Sequence, residues 1–590
     1  MTGIRISSEI AGICDLHHAA PVGVLVVSSP DVLFDCALLS GQRVPWRDRE
    51  GTMKTKRLMA LALVLATVAA FAVALVPSAD AGSSGPAPAN LQAPPATAEL
   101  VDLGRATFTK QCVPCHGANG NGEGPAAYLL YPKPRDFTSG KFLLVSTWDR
   151  VPTDFDLFGA ITRGLPGSAM PSWGHLPERT RWGLVNYIKS LAETPWQIQE
   201  PTDPHDGMPG TGIIRLPPEP EWNEAARTRA WQLYGEACKG CHGPTGKGDG
   251  AQAQFDEKGY PTRPRDLTLG VFKGDPAPEA IFRHILAGMP GTPMPMSDWA
   301  YGTDGWHLVH LVRSLSSDEQ RTRVEMKKFR IVAHRVAALP DHPDDGLWNE
   351  ATPINLHLMP LWWRAERPEE LTVRALHDGS RVAISLTWAD DTHDATAMRV
   401  QDFRDAVAVQ FALDPDPPFF AMGAKGQFVN IWMWKSEKQA DIETPFQDLD
   451  SIYPNIGIDS YPNTLKRPEE QPTRHALTLE SDPSFVTGWA AGNIVSDRTR
   501  RSAAEDLRAQ GFGTLRARAT ESQPLKAEGV WSTGSYRVMF TRPLAVEGEG
   551  AVNLAAGTVV PVGFAVWNGT AGDRDGKKSV TIWQELELQP

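Results

Sequence analysis

Cysteine is scarce. Six of the 590 residues carry a thiol: Cys14, Cys36, and two tight pairs, Cys112 with Cys115 and Cys238 with Cys241. Cys14 and Cys36 lie upstream of everything that reads as mature protein, so no cysteine remains for a disulfide framework or an iron–sulfur cluster. Positive charge is also in short supply. The formal net charge is -12 and no basic run is long, which argues against a nucleic-acid partner. Hydrophobic content of 41% and charged content of 22% are ordinary for soluble globular protein. The length exceeds what a single core sustains, so several domains are expected.

Long apolar runs are nearly absent as well. The exception, Leu58–Val76, follows Lys54, Lys56 and Arg57 and precedes Ala79-Asp80-Ala81. A basic start, an apolar stretch and a small-x-small site predict a signal peptide over residues 53–81. The run also has about the length of a membrane anchor. No twin-arginine pair is present, so the general secretory route is the simpler expectation. Residues 1–52 stand in front of that signal and are expected to be an extension ahead of a true start at Met53. Residues 82–97, rich in Ser, Gly, Pro and Ala, read as a flexible linker.

One module is written twice. LGRATFTKQCVPCHGANGNGEG surrounds Cys112 and RAWQLYGEACKGCHGPTGKGDG surrounds Cys238. Phe108 and Tyr234 each stand four residues before the first cysteine. Pro134-Arg135-Asp136-Phe137 is matched by Pro264-Arg265-Asp266-Leu267, and Phe142 by Phe272. GLPGSAMPSW is matched by GMPGTPMPMS, and WGLVNYIKSL by WHLVHLVRSL. Similarity that extends this far means one structural unit used twice. In C-x-x-C-H both thiols can bond the vinyl groups of one haem while the histidine reaches its iron. A thioether is a soft donor suited to the other face. Met170 and Met294 hold equivalent positions, each before a proline; Met289 and Met296 have no repeat-mates. A redox dithiol or half a zinc site are the other readings of a lone C-x-x-C pair. His175 and His307 read as surface or packing histidines. Arg135 and Arg265 suit haem propionates or a neighbouring acid equally well.

On these residues, the stretch of about 98–316 resembles two class I cytochrome c domains, at 98–200 and 220–317. The resemblance implies haem c on Cys112 and Cys115 with iron ligands His116 and Met170. It implies a second on Cys238 and Cys241 with His242 and Met294. It also implies export to the periplasm, where c-type haem is attached in bacteria. Iron with both axial positions filled leaves no place for a substrate, so electron relay is expected in this half.

After a charged, helical connector at 318–339 the composition changes. LTVRALH, RVAISLTWAD, AVAVQFAL, NIWMWK, YRVMFTRPL, VVPVGFAVWNG and SVTIWQELEL alternate apolar residues between Asp, Gly and Pro turns. That pattern predicts an antiparallel β-sandwich. The fold class expected is therefore multidomain: two all-α cytochrome c domains followed by an all-β antiparallel sandwich.

DGLWNEA, HDGSRVAISLTWADDT, PFFAMGAKGQFVNIWMWKSE, GWAAGN and FAVWNGTAGDRDGKKSVTIWQEL stand in this order. Residues 340–590 resemble the haem-b-binding gamma subunit of the ethylbenzene dehydrogenase family, which includes dimethylsulfide dehydrogenase, chlorate and selenate reductases and nitrite oxidoreductases. The resemblance implies one haem b held by a methionine and a lysine or histidine. It also implies a molybdenum and iron–sulfur oxidoreductase as partner, and a soluble or membrane-bound respiratory cytochrome beyond. Met422 matches the methionine; Lys435, His475 and His357 are candidates for the second ligand. The sandwich and its opening DG-x-W-x-x-A also resemble carbohydrate-binding modules, for which Trp362, Trp363, Trp432 and Trp434 are candidate stacking residues. That alternative is a free-standing dihaem carrier with a carbohydrate- or partner-binding domain.

Overall fold

The structure, a computed structural model, describes residues 93–323, 327–417, 422–443, 453, 455, 502–518 and 524–590. The export signal, GWAAGN and His475 lie outside the described residues. Helices fill the amino-terminal half and a large mixed sheet the other.

The first helical module has α1 (Ala98–Gln111), the single turn α2 (Val113–His116), α3 (Asp154–Arg163) and α4 (Glu178–Ser190). Thr97 caps α1 by accepting from the Leu100 amide at 3.3 Å. Leu100, Gly104 and Phe108 form its buried stripe, the four-residue spacing of one helical face. Thr153 and Asp156 make a reciprocal capping box on α3. The second module repeats the plan with α5 (Glu224–Ala237), the turn α6 (Lys239–His242), α7 (Pro278–Ala287) and α8 (Thr303–Ser314); α9 (Asp318–Arg323) follows. One hydrophobic core runs through both modules, from Phe108 to Leu311.

The second module is not wholly helical. β1 (Gln254–Phe255) and β2 (Pro261–Thr262) form a short antiparallel ladder. In the first module the corresponding stretch pairs outward instead. Tyr131 bridges to Trp362 of the carboxy-terminal half, with its amide 2.9 Å from the Leu361 carbonyl and its carbonyl 2.7 Å from the Trp363 amide.

The sheet comprises β3 (Arg330–Arg335), β4 (Ile354–His357), β5 (Met359–Pro360), β6 (Glu370–His377), β7 (Arg381–Ala389), β8 (Ala406–Ala412) and β9 (Val429–Lys435). It continues with β10 (Ala504–Ala509), β11 (Arg516–Ala517), β12 (Lys526–Ser532), β13 (Ser535–Pro543), β14 (Val559–Trp567), β15 (Ser579–Val580) and β16 (Gln584–Leu588); α10 (Ser436–Glu443) follows β9. The order is β11-β10-β9-β8-β14-β16-β3-β6-β7-β13-β12. The strands fold over one core: Trp388 of β7 and Tyr536 of β13 stack at 4.9 Å, and both meet Trp434 of β9, at 6.4 and 5.5 Å.

Two expectations need correction. The sheet is mixed, because β3 runs parallel to both β16 and β6. Local alternation reports burial and not the direction of a distant partner, so β3 and β16, from opposite ends of this half, were free to pair in parallel. β3 also lies inside the stretch expected to be connector.

Asp405 ties the layers together. Its fully buried carboxylate accepts from Tyr536 Oη at 2.7 Å, the Asp394 amide at 2.8 Å and the Gly569 amide at 2.8 Å. Burial, with Asp390 adding repulsion, raises its pKa from 3.8 to about 7. The folded state therefore holds a proton there that the unfolded chain has released above pH 4. Stability from this group is full below pH 4 and falls as pH rises toward 7, by up to about 4 kcal/mol at 1.36 kcal/mol per unit. Urea midpoints read by near-UV circular dichroism should drop over that window, and Asp405→Asn should flatten the drop.

Candidate functional site

At the end of α1 the Cys115 and His116 amides both bond the Cys112 carbonyl, at 3.1 and 2.8 Å. This single turn sets two thiols and one imidazole on the wall of a cavity. His116 Nδ1 lies 3.0 Å from the Arg135 carbonyl; donating there leaves Nε2 as the free nitrogen. The ring stacks on Phe137 at 4.4 Å. Burial holds its pKa down at about 4, so at neutral pH it is uncharged and able to ligate a metal.

Met170 lines the same cavity from a tight loop. The Leu165 amide donates to the Met170 carbonyl at 3.0 Å, and the Met170 amide to Ser168 Oγ at 3.3 Å. Gly164 must be glycine: its φ is +74°, and a Cβ would stand 2.7 Å from the Met170 carbonyl oxygen. The cavity lies between Phe108, Phe142, Leu157 and Ile161.

The second module builds the same site. Cys238, Cys241, His242 and Met294 line a cavity. The Met289 amide donates to the Met294 carbonyl at 3.2 Å and the Met294 amide to Thr292 Oγ1 at 3.3 Å. Gly288 repeats Gly164 at φ +67°. His242 has the Arg265 carbonyl as neighbour, although its buried Nδ1 makes no hydrogen bond of normal geometry. Met289 also lines this cavity, whereas Met296 packs into the core. His175 and His307 line neither cavity.

The buried thiols are unlike an activated redox dithiol. Burial pushes Cys112 and Cys115 up to about 12 and Cys238 up to about 11, the reverse of an activated thiolate. Among the described residues no cluster of three His, Cys, Asp or Glu is placed to hold a metal ion. Apolar walls, a paired thiol edge, a neutral imidazole and a facing thioether together fit a covalently attached haem.

On the sheet, Met422 stands at φ +54°, a conformation costing a side-chain-bearing residue about 1 kcal/mol or more. It is held by its amide on Gln410 Oε1 at 3.1 Å and its carbonyl under the Gly511 amide at 2.7 Å. Met422 packs on a face made of Ala406, Ala408, Ala565, Trp567, Trp583 and Met433. Lys435 forms an ion pair with buried Glu505 at 2.9 Å. His357 lies elsewhere, in a small cavity with Phe329, Met359 and Ile582. Sequence reasoning passed over Lys578. It stands just before β15, and its amine lies 4.7 Å from the Trp567 ring. The amine has no ion pair or hydrogen bond among the described residues, and burial pushes its pKa down to about 8 against the pull of Asp575. Neighbouring Lys577 instead bonds the carbonyls of Ala571 and Gly572. The loop between Asn568 and Lys577 is clamped by the buried pair Arg364–Asp573. Trp432 and Trp434 are core residues, Trp362 is faced by Tyr131 at 5.3 Å and Lys133 at 5.4 Å, and Trp363 by Arg263 at 5.9 Å and Arg367 at 6.0 Å, so these four tryptophans form no open stacking strip.

Residues 345–579 match the family model for ethylbenzene dehydrogenase, and residues 99–188 match that for the cbb3-type cytochrome c oxidase subunit III. The dimethylsulfide dehydrogenase gamma subunit of Rhodovulum sulfidophilum is 27% identical over 263 residues, 42% of this chain and 76% of that protein. A Haloferax mediterranei protein provisionally named as a respiratory nitrate reductase heme subunit is 25% identical over 263 residues, 42% of this chain and 69% of its own. Among solved structures, a chain of a Kuenenia stuttgartiensis reducing HAO-like protein complex is 31% identical, covering 38% of this chain and 100% of that one at a TM-score of 0.33. The chain thus joins a cytochrome c region to a region of the ethylbenzene dehydrogenase gamma type.

Proposed function

We propose that this chain is the electron-transfer subunit of an oxidoreductase complex, carrying two haem c groups and one haem b. The observation that carries the reading is the pair of matching cavities, each lined by a C-x-x-C-H turn and by a methionine on a loop of the same construction. Each bound haem would supply a reversible one-electron couple. The chain's own part is to fix the His116 imidazole through the Arg135 carbonyl, present the thioethers on hydrogen-bonded loops and exclude water with Phe108, Phe142 and Phe272.

Haem b would sit on the Ala406–Ala408–Ala565 face between Met422 and Lys578. Lys578 is preferred to Lys435 because Lys435 already neutralises Glu505. The gamma-subunit likeness supports a molybdenum and iron–sulfur enzyme as the partner on that side and a respiratory cytochrome on the other. Covalent attachment of haem c supports export, with Leu58–Val76 as the signal. Among the described residues no helix is long and apolar enough to cross a membrane.

The test is a pyridine haemochrome spectrum of protein matured with c-type haem, before and after acid–acetone extraction. Two haems resisting extraction and one extracted is the expected result. Two retained and none extracted, with haem supplied during expression, would remove haem b and leave a dihaem carrier.

A further inference from the structure

The two cavities share a wall. Thr262, Arg265, Lys273 and Thr292 of the second module line both, and Arg135 of the first lines its own. The arginines are exchanged across that wall. Arg265 donates to the Pro166 and Gly167 carbonyls, in the methionine loop of the first module. Its repeat-mate Arg135 lies against Gly291, in the methionine loop of the second. Both glycines have left-handed backbone, and a Cβ at Gly167 would stand 2.1 Å from Arg265 Nη1, one at Gly291 2.7 Å from Arg135 Nη1. Each loop keeps glycine where the other module's guanidinium passes.

The charges there do not balance. Arg135 has Glu257 at 3.5 Å, with Asp256 and Asp136 nearby. Among the described residues Arg265 and Lys273 form no ion pair, and Lys273 makes no hydrogen bond. Around them stand further cations: Arg367, tied to Glu369, acts on Arg265, while Arg265 and Arg135 act on Lys273. Burial and this mutual repulsion bring the Lys273 amine down to about 7. The acids in reach are Glu369, which acts on Arg265, and Asp256 and Asp275 on the cavity walls; among the described residues none forms an ion pair with Arg265 or Lys273, so the seam keeps a positive charge that suits an anion. A haem offers two carboxylates on one edge.

We propose that Arg265 and Lys273 of the second module, with Arg135 of the first, form one anion-binding seam that takes propionate carboxylates from both haems. Arg265 is then an anchor for the haem of the neighbouring module, and the two haems are strapped to each other through the protein. This rests on the presence of the two c haems proposed above.

A nearby cation favours the reduced, less positive haem, so its loss lowers the midpoint potential. Arg265→Gln in the holoprotein should lower the potentials of both c haems in a spectroelectrochemical titration. Arg265→Lys, which keeps the charge, should restore most of the fall. Met294→His added to each variant labels the second haem by removing its methionine–iron charge-transfer band, so the two potentials are read separately. A fall confined to the second haem, or none with both haems bound, overturns the proposal. If Arg265→Gln fails to mature, Lys273→Gln decides by the same reading, with both potentials expected to fall. A shift seen only in phosphate buffer would make free phosphate the occupant and also overturn it. A parent protein without two extraction-resistant haems would instead refute the functional reading beneath it.

Discussion

Lys578→Ala should abolish the acid-extractable haem while leaving both covalent haems in place. The amine lies 4.7 Å from the ring of Trp567 and forms no ion pair among the described residues, Asp575 acting on it only at longer range, so its removal breaks no salt bridge. Met422→Ala should have the same consequence. Lys435→Ala is the contrast. It strips the partner from Glu505, which is 2% exposed, and should cost about 3–5 kcal/mol of stability while retaining the haem. Haem stoichiometry and urea denaturation, measured side by side on the three variants, separate ligation from scaffolding. Retention of extractable haem by Lys578→Ala, or its loss in a folded Lys435→Ala protein, would return the assignment to Lys435.

The second large effect is expected at Gly104. Helices α1 and α4 cross with almost no side chain between them. A Cβ on Gly104 would sit 2.0 Å from the Gly183 carbonyl oxygen. That atom is backbone and cannot swing aside, so Gly104→Ala must part the helices, at about 3 kcal/mol or more. The α1 end carries Cys112, and the displaced turn should fail to present its thiols and imidazole together. The variant is expected to keep one covalent haem, on the second module. Gly235→Ala on α5 is the control: nothing lies within 4 Å of its would-be Cβ. It should be neutral or add about 0.5–1 kcal/mol.

Much of this was legible along the chain. A thiol pair, its histidine and a Met-Pro downstream are local patterns whose chemistry demands that spacing, and the repeat doubled the signal. Six of the seven alternating stretches fall on single strands of the sheet, and the seventh, SVTIWQELEL, is broken into β15 and β16. Other features depend on who meets whom. β3 reads as the tail of a charged connector until β16 and β6 flank it. Lys577 and Lys578 are indistinguishable as letters; their opposite fates follow from which side of β14–β15 each one faces. Arg265 reads as belonging to its own module, and only packing carries its guanidinium into the other one. Likewise, nothing local to Lys435 announces Glu505, which arrives from a strand far away in the sequence.

The pairing of Tyr131 with Leu361–Trp363 has a kinetic consequence. Two backbone hydrogen bonds splice the first helical module to the sheet region, and its Cys115 packs with Leu130, Met359 and Val580 in one apolar cluster. Fused carriers on slack tethers exchange electrons only when they collide, so their internal rates follow solvent viscosity and salt. Here the spacing between the sheet region and the first cavity is set once, when the chain folds. Internal hopping should therefore be indifferent to glycerol and to ionic strength, which would govern only the encounters at the two ends of the relay.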